Sequence, residues 1–208
     1  LKTWKWEKKT TSGSKPSSRE RHTCILYNDK MVMYGGSTGS ASQDVYTLNL
    51  KTWLWTKEDT IGTPPDGRQD HSAVLAGTRT MVIFGGSNGI GNHGFDDIWQ
   101  LDLITFTWTD RKTGGGSDIN KPGKRVGHTA VIYGTTNMMI FGGHADGISN
   151  NDVFYLNINN FEWTKKITGG SKPSKRRQHS SIFYRNKVLV FGGKEGVSVY
   201  NDIYTLLI

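Results

Sequence analysis

An all-β fold made of four copies of one four-stranded unit is predicted by three observations. Double glycines recur at Gly35-Gly36, Gly85-Gly86, Gly142-Gly143 and Gly192-Gly193, spaced by 50, 57 and 50 residues. Each closes a short apolar run, such as Met81-Val82-Ile83-Phe84 or Val188-Leu189-Val190-Phe191. No stretch carries a 3.6-residue apolar period, which leaves almost no room for helix. A fixed period of this length marks a repeat architecture, so the elements are best taken repeat by repeat.

Strand a follows Pro-x-x-Arg-x-x-His-Ser/Thr, present as Pro16/Arg19/His22/Thr23, Pro65/Arg68/His71/Ser72, Pro122/Arg125/His128/Thr129 and Pro173/Arg176/His179/Ser180. Strand b is the run before Gly-Gly. Strand c follows the Asp of Asp-x-aromatic-x-Leu, at Asp44/Tyr46/Leu48, Asp97/Trp99/Leu101, Asp152/Phe154/Leu156 and Asp202/Tyr204/Leu206. Strand d holds aromatic-x-Trp, at Trp4/Trp6, Trp53/Trp55, Phe106/Trp108 and Phe161/Trp163. Short segments rich in Val, Ile, Tyr, Phe and Trp between Gly, Pro, Asn and Ser read as strands. Aromatic residues at i and i+2 of a strand share a face, so each aromatic-x-Trp pair is expected on one face of strand d. Six of the seven Trp lie in this element, which assigns Trp6, Trp55, Trp108 and Trp163 to the scaffold. Four-stranded antiparallel units at this spacing are propeller blades. The predicted organisation is one β-propeller over 1–208: strand d at 1–8, then repeats 9–58, 59–111, 112–166 and 167–208.

With 208 residues, the chain can bury a core without disulfides or metal. Cys24 is the only cysteine, so no internal disulfide forms, which favours a reducing compartment. The expected location is cytoplasmic, with the nucleus as alternative. Between Thr23 and Ile25 in strand a, Cys24 reads as a packed small residue. No apolar run is long enough for a membrane-spanning helix. No basic-then-apolar leader opens the sequence, and Leu1 in place of Met leaves room for an upstream segment.

Several chemistries fail on the residues. A metal ring of His22, His71, His128 and His179 lacks carboxylate or thiolate partners. Each of these His follows Arg by three residues and precedes a hydroxyl, so each is expected to bond backbone where strand a begins. The Gly-Gly pairs are not followed by a helix or Gly-Lys-Ser/Thr, so they are not phosphate cradles. They are expected to allow close backbone approach at a strand end. No Ser-His-Asp grouping departs from the repeat. Nucleic acid is disfavoured despite the +8 charge, because the aromatics occupy scaffold positions. No catalytic residue, metal or cofactor is expected.

The charge is not evenly spread. Successive strands of a blade alternate in direction, so b–c and d–a connections share one face. The d–a connections, 7–21, 57–70, 110–125 and 165–177, hold 18 Lys and Arg against 8 Asp and Glu. Their excess of +10 exceeds the +8 of the whole chain. The b–c and d–a loops of one repeat are also the longest, and long loops on a rigid scaffold are where binding residues concentrate. The candidate partner-binding residues are Asn92, His93, Phe95, Lys112, Lys121, Lys124, His144, Lys172, Lys175, Arg177 and Tyr200. Phe95 is either an exposed anchor or packed beneath its own loop.

Over its whole length this pattern resembles the kelch repeat family. The Pro-x-x-Arg-x-x-His variant is similar to that of Rab9 effector, host cell factor, leucine-zipper-like regulator and acyl-CoA-binding kelch proteins. The resemblance implies a β-propeller, most often six-bladed, with five and seven blades also known. With no catalytic grouping in the residues, the expected function is a non-catalytic module that binds a protein partner, and the basic d–a/b–c face points to an acidic or phosphorylated one. The alternative is a kelch-type enzyme, or the substrate-holding domain of one. Leu1, Leu50, Leu103, Ile158 and Ile208 share one repeat position, so the sequence runs from before a strand d to after a strand c. Two arrangements follow. Residues 1–8 pair with 202–208 and close a four-bladed ring, or the four blades are a segment of a larger propeller whose open edges need further blades or another chain.

Overall fold

A computed structural model describes residues 4–90, 94–111 and 118–208. In blade 1, β1 is Ser12–Gly13, β2 Thr23–Tyr27, β3 Lys30–Tyr34, β4 Val45–Asn49 and β5 Leu54–Lys57. Strands β2 to β5 form an antiparallel meander, and β1 lies parallel to β5 at the outer edge. Blade 2 holds β6 (Ser72–Ala76), β7 (Thr80–Phe84), β8 (Ile98–Asp102) and β9 (Trp108–Asp110). In blade 3, β10 (Thr129–Tyr133) and β11 (Asn137–Phe141) are followed by a small hairpin, β12 (His144–Ala145) and β13 (Ile148–Ser149). Then β14 (Val153–Asn157) and β15 (Glu162–Lys166) complete the blade. Blade 4 has β16 (Ser180–Tyr184), β17 (Lys187–Phe191), the hairpin β18 (Lys194–Glu195) and β19 (Ser198–Val199), and β20 (Ile203–Leu207). Its main sheet has three strands, β16-β17-β20.

The first strands of the blades, β2, β6, β10 and β16, are neighbours in that order. Each strand alternates between two faces, and each face meets a different blade. The core is therefore divided into layers between blades. Ile25, Val32 and Tyr34 of blade 1 pack on Met81, Ile83, Leu101 and Trp108 of blade 2. Val74, Val82 and Phe84 pack on Met138, Ile140, Leu156 and Trp163 of blade 3. Val131, Met139 and Phe141 pack on Val188 and Val190 of blade 4.

The strand-d tryptophan reaches back to the aromatic that ends strand b of the preceding blade. Trp108 meets Tyr34 edge-on at 5.0 Å and Trp163 meets Phe84 at 5.0 Å. The first aromatic of each pair is not in the strand, contrary to the period-2 expectation. Trp53, Phe106 and Phe161 have φ of 58°, 52° and 56°. Their N–H groups donate to Asn49, Asp102 and Asn157 carbonyls at 2.8 Å each. They close the c–d turn in the left-handed region, which costs a bulky side chain energy.

Of the two arrangements, the described residues adopt the open one. Residues 4–8 form no strand and do not pair with β20. Trp6, expected in the scaffold, is fully exposed, as is Trp4. Among the described residues no blade packs on the outer face of blade 1, so Trp6 meets no strand-b aromatic. Trp55 is only half-buried for the same reason. Cys24, expected to be packed, is exposed on strand β2 of this end blade.

Trp108→Ala and Trp163→Ala should each lower unfolding free energy by about 3–5 kcal/mol, as for other buried aromatics. Trp6→Ala should change it by no more than about 0.5 kcal/mol. Urea denaturation followed by far-ultraviolet circular dichroism measures all three, and equal losses would contradict the layered core.

Candidate functional site

The d–a and b–c connections are held in place by two devices that the sequence motif encodes together. The first works within a blade. Arg68 is completely buried, and its guanidinium donates to the Gly85 carbonyl at 3.0 Å and to Asp97 at 2.6 and 2.9 Å. Arg176 repeats this with the Gly192 carbonyl at 2.8 Å and Asp202 at 2.6 and 3.0 Å. Arg125 binds the Gly142 carbonyl at 3.0 Å and Asp152 at 2.9 Å. Arg19 is looser: it bonds the Gly35 carbonyl at 3.0 Å but stands 3.8 Å from Asp44. Each Nε donates to the carbonyl two residues back. A buried guanidinium is tolerable only when its donors are matched in this way. The bond from Arg176 holds Asp202 below the usual carboxylate range.

The second device joins blades. The imidazole Nε2 of His71 is 2.7 Å from Thr23 Oγ1 on blade 1. Likewise His128 is 2.8 Å from Ser72 Oγ, and His179 is 2.8 Å from Thr129 Oγ1. The expectation of a bond to backbone is corrected: the partner is the hydroxyl that follows the equivalent His of the preceding blade. His22 is exposed, and among the described residues no blade packs against it. Burial, with the nearby arginine second, pushes His71 down to about 3 and His179 down to about 4, and pushes His128 well below its ordinary value. All three are neutral at pH 7.

The residue before each His lines the inner rim. Arg21, Asp70, Gly127 and Gln178 all have positive φ, between 55° and 62°. They form a backbone chain: Asp70 N–H donates to Arg21 at 3.1 Å, Gly127 to Asp70 at 2.9 Å and Gln178 to Gly127 at 2.7 Å. The Gly-Gly turns fit against this rim. A Cβ on Gly36 would lie 2.8 Å from both the Glu20 carbonyl and His22 Cβ, and its N–H donates to the Arg68 carbonyl at 2.9 Å.

On this framework the candidate binding residues separate into groups. Lys124, His144 and Arg177 come together around one cleft, with Ser87, Gly94 and Asp146. Lys124 is exposed, and His144 and Arg177 are half-buried. Arg177 Nε is buried without a hydrogen-bond partner. Burial, and then the Arg177 charge, lowers the His144 pKa. Lys175 is exposed on the d–a connection, and Lys121 is half-buried. Lys172 lies elsewhere, in a groove beside Phe141 and Leu206. Phe95 and Tyr200 are half-buried, each ring 4.4 Å from the guanidinium of its blade's clamp, Arg68 or Arg176. Of the two readings for Phe95, packing prevails over exposure. Asn92, His93 and Lys112 lie outside the described residues. Sequence reasoning missed the hairpin β12–β13, whose Asp146-Gly147 turn is a recognisable hairpin signal. It also missed Lys194, which pairs with Arg177 through backbone bonds of 2.9 and 3.0 Å.

Comparison with known proteins agrees with this architecture. The KLHDC2/KLHL20/DRC7 Kelch-repeats domain matches residues 1–119 and 116–208. Kelch domain-containing protein 3 of Bos taurus is 33% identical over 189 residues, covering 86% of this chain and 48% of its own length. Acyl-CoA-binding domain-containing protein 4 of Arabidopsis thaliana is 29% identical, covering 97% of this chain and 31% of its own. Host cell factor 2 of Homo sapiens is 28% identical, with 93% and 29% covered. The chain thus spans between about a third and a half of these relatives. The solved structure of YjhT superposes with a TM-score of 0.66 at 17% identity, over 84% of this chain and 59% of that one. Among the described residues no helix is long and apolar enough to cross a membrane.

The neutral histidines fix a pH dependence. Their folded pKa values lie below the unfolded value of about 6.5, so the unfolded chain binds more protons between these limits. Stability should therefore fall as pH drops from about 6.5 towards 4, by up to about 1.4 kcal/mol per pH unit for each histidine. Urea midpoints at pH 7, 6 and 5 test this, and a constant midpoint would contradict the buried neutral state.

Proposed function

We propose that this chain, which belongs to the kelch-repeat family, is a non-catalytic module that binds an acidic segment of a partner protein at the d–a/b–c face. The observation that carries this reading is the convergence of Lys124, His144 and Arg177 on one cleft, with Arg177 Nε buried and unpaired. An unpaired donor in such a place costs free energy unless a ligand oxygen completes it. A carboxylate or phosphate oxygen supplies that acceptor, and the exposed Lys124 and Lys175 add attraction at longer range. The cleft is rimmed by loops on a rigid scaffold, which suits recognition of an extended segment. The seat of the proposed activity is cytoplasmic or nuclear.

Fluorescence anisotropy with a labelled poly-glutamate peptide and a phosphoserine peptide of equal length tests the proposal. Both should bind, and binding should weaken as salt rises because exposed charges are screened. Lys124→Glu combined with Lys175→Glu should keep the melting temperature and weaken binding by roughly tenfold or more, as loss of attractive pairs becomes repulsion. Equal affinity of the folded double variant, or binding indifferent to salt, would place recognition elsewhere. Preference for one peptide decides between acidic and phosphorylated partners.

A further inference from the structure

The repeat allows each position to be compared between blades, and one polar cleft in blade 2 departs from its counterparts. Blades radiate from a common axis, so the gap between neighbours widens outward. On the inner part of the blade 2 face that meets blade 3, Val82, Phe84 and Ile98 pack into the core. Farther out the same face turns polar and forms a cleft that holds two arginines, Arg79 and Arg111. It shares no residue with the cleft of Lys124, His144 and Arg177.

Both arginines are held from β8. Gln100 and Asp102 lie two residues apart on this strand, so they share a face about 7 Å from each other. Gln100 Oε1 accepts the Nε–H of Arg111 at 2.7 Å, and the Arg111 guanidinium rests 5.1 Å from the Phe161 ring of blade 3. Asp102 Oδ2 pairs with Arg79 Nη2 at 3.0 Å, while its Oδ1 accepts the N–H groups of Ile104 and Thr105 at 2.8 and 3.1 Å. The carboxylate is thus matched within its own turn. Two guanidiniums against one carboxylate leave the cleft with an excess of one positive charge. Among the described residues neither guanidinium has another polar partner. Hydroxyls line the gap: Thr109 stands opposite Gln100, and Thr80 opposite Asp102, each on the face of its cross-strand partner.

The scaffold does not require this set. At the positions of Arg79 and Arg111, blade 1 has Asp29 and Glu58, and blade 3 has Thr136 and Lys166. The a–b turn nevertheless makes the same backbone bond in all three, from Leu50 to Asp29, Leu103 to Arg79 and Ile158 to Thr136. We propose that this cleft binds a phosphate monoester, with Arg79 and Arg111 donating to its oxygens from two sides and the Thr80 and Thr109 hydroxyls adding to them. Anchors about 7 Å apart leave room for one group between the guanidiniums. That group takes charge-assisted bonds of about 2.8 Å from both. A carboxylate has two oxygens in one plane and suits a single fork, whereas a phosphate presents three and can meet both.

Titrating the isotope-labelled chain with inorganic phosphate at constant ionic strength, and following amide chemical shifts, tests this. The amides of Gln100, Asp102 and Thr109 should shift and saturate with phosphate, and acetate should not saturate them. Arg79→Gln and Arg111→Gln should each raise the half-saturating phosphate concentration by roughly tenfold, the equivalent of about 1.4 kcal/mol. Arg79 is exposed, so its variant should melt like wild type and carries the test by itself if Arg111→Gln does not fold. Lys124→Glu combined with Lys175→Glu should leave the half-saturation unchanged, which separates this site from the partner cleft. A phosphothreonine peptide and a sugar phosphate, titrated in the same way, should saturate the same amides, and the tighter of the two names the carrier of the group. Three results overturn the proposal: shifts that rise without saturating, an Arg79→Gln variant that saturates like the wild type, or a half-saturation that moves with the Lys124 and Lys175 variant instead.

Discussion

Everything in this molecule hangs on a buried arginine repeated once per blade. Its side chain ties the d–a connection to the Gly-Gly turn and to the aspartate that opens strand c. Its backbone carbonyl accepts the N–H of the second glycine of the preceding blade, from Gly36 to Arg68, Gly86 to Arg125 and Gly143 to Arg176, at 2.9 Å each. Three residues later the histidine bonds that same preceding blade. One short element thus closes its own blade and fastens it to the neighbour. The cost of burying a charge is met because the donors find carbonyl and carboxylate oxygens. The same geometry explains why glycine occupies both turn positions: a side chain there would strike the element it must touch.

Fastening each blade only to its neighbours makes the structure a row of similar units, so the end units lack part of what the inner ones have. The inner layers enclose Trp108 and Trp163, whereas the outermost residues of the arc, Trp6, His22, Ser180 and Phe191, face solvent. In a row of this kind stability sums unit terms and neighbour terms, so the ends are the first to open. The same row sets the loops side by side. The cleft of Lys124, His144 and Arg177 draws on three successive blades, with Ser87 on the far side.

Much of this was legible in the sequence because the repeat supplies four samples of every position. The strands, their order and the face shared by d–a and b–c connections follow from the Gly-Gly, Asp and Trp spacing. Partners across space were less legible. The sequence shows Arg68 and Asp97 as motif residues 29 apart, but only the folded meander brings them together. The hydroxyl partner of His128 lies 56 residues away on another blade, so local reading pointed to backbone instead. Trp53, Phe106 and Phe161 suggested extended strand by period, yet turn geometry overrides the period there. Cys24 looked packed because its strand is apolar, and is exposed because no described blade covers its face of blade 1. The eleven candidate binding residues were chosen by loop and charge. That choice cannot separate Lys172, in the groove beside β20, from Lys124 in the cleft.

The central claim is that the motif histidine couples adjacent blades. A double-mutant cycle on the bond between His128 and Ser72 tests it most directly, using unfolding free energies of His128→Ala, Ser72→Ala and the double variant. The account predicts a coupling energy of about 0.5 kcal/mol or more for this contact. His22→Ala, at the same motif position but exposed and packed against no described blade, should change stability by no more than about 0.5 kcal/mol. Additive losses in the cycle, or a His22→Ala loss equal to that of His128→Ala, would contradict it.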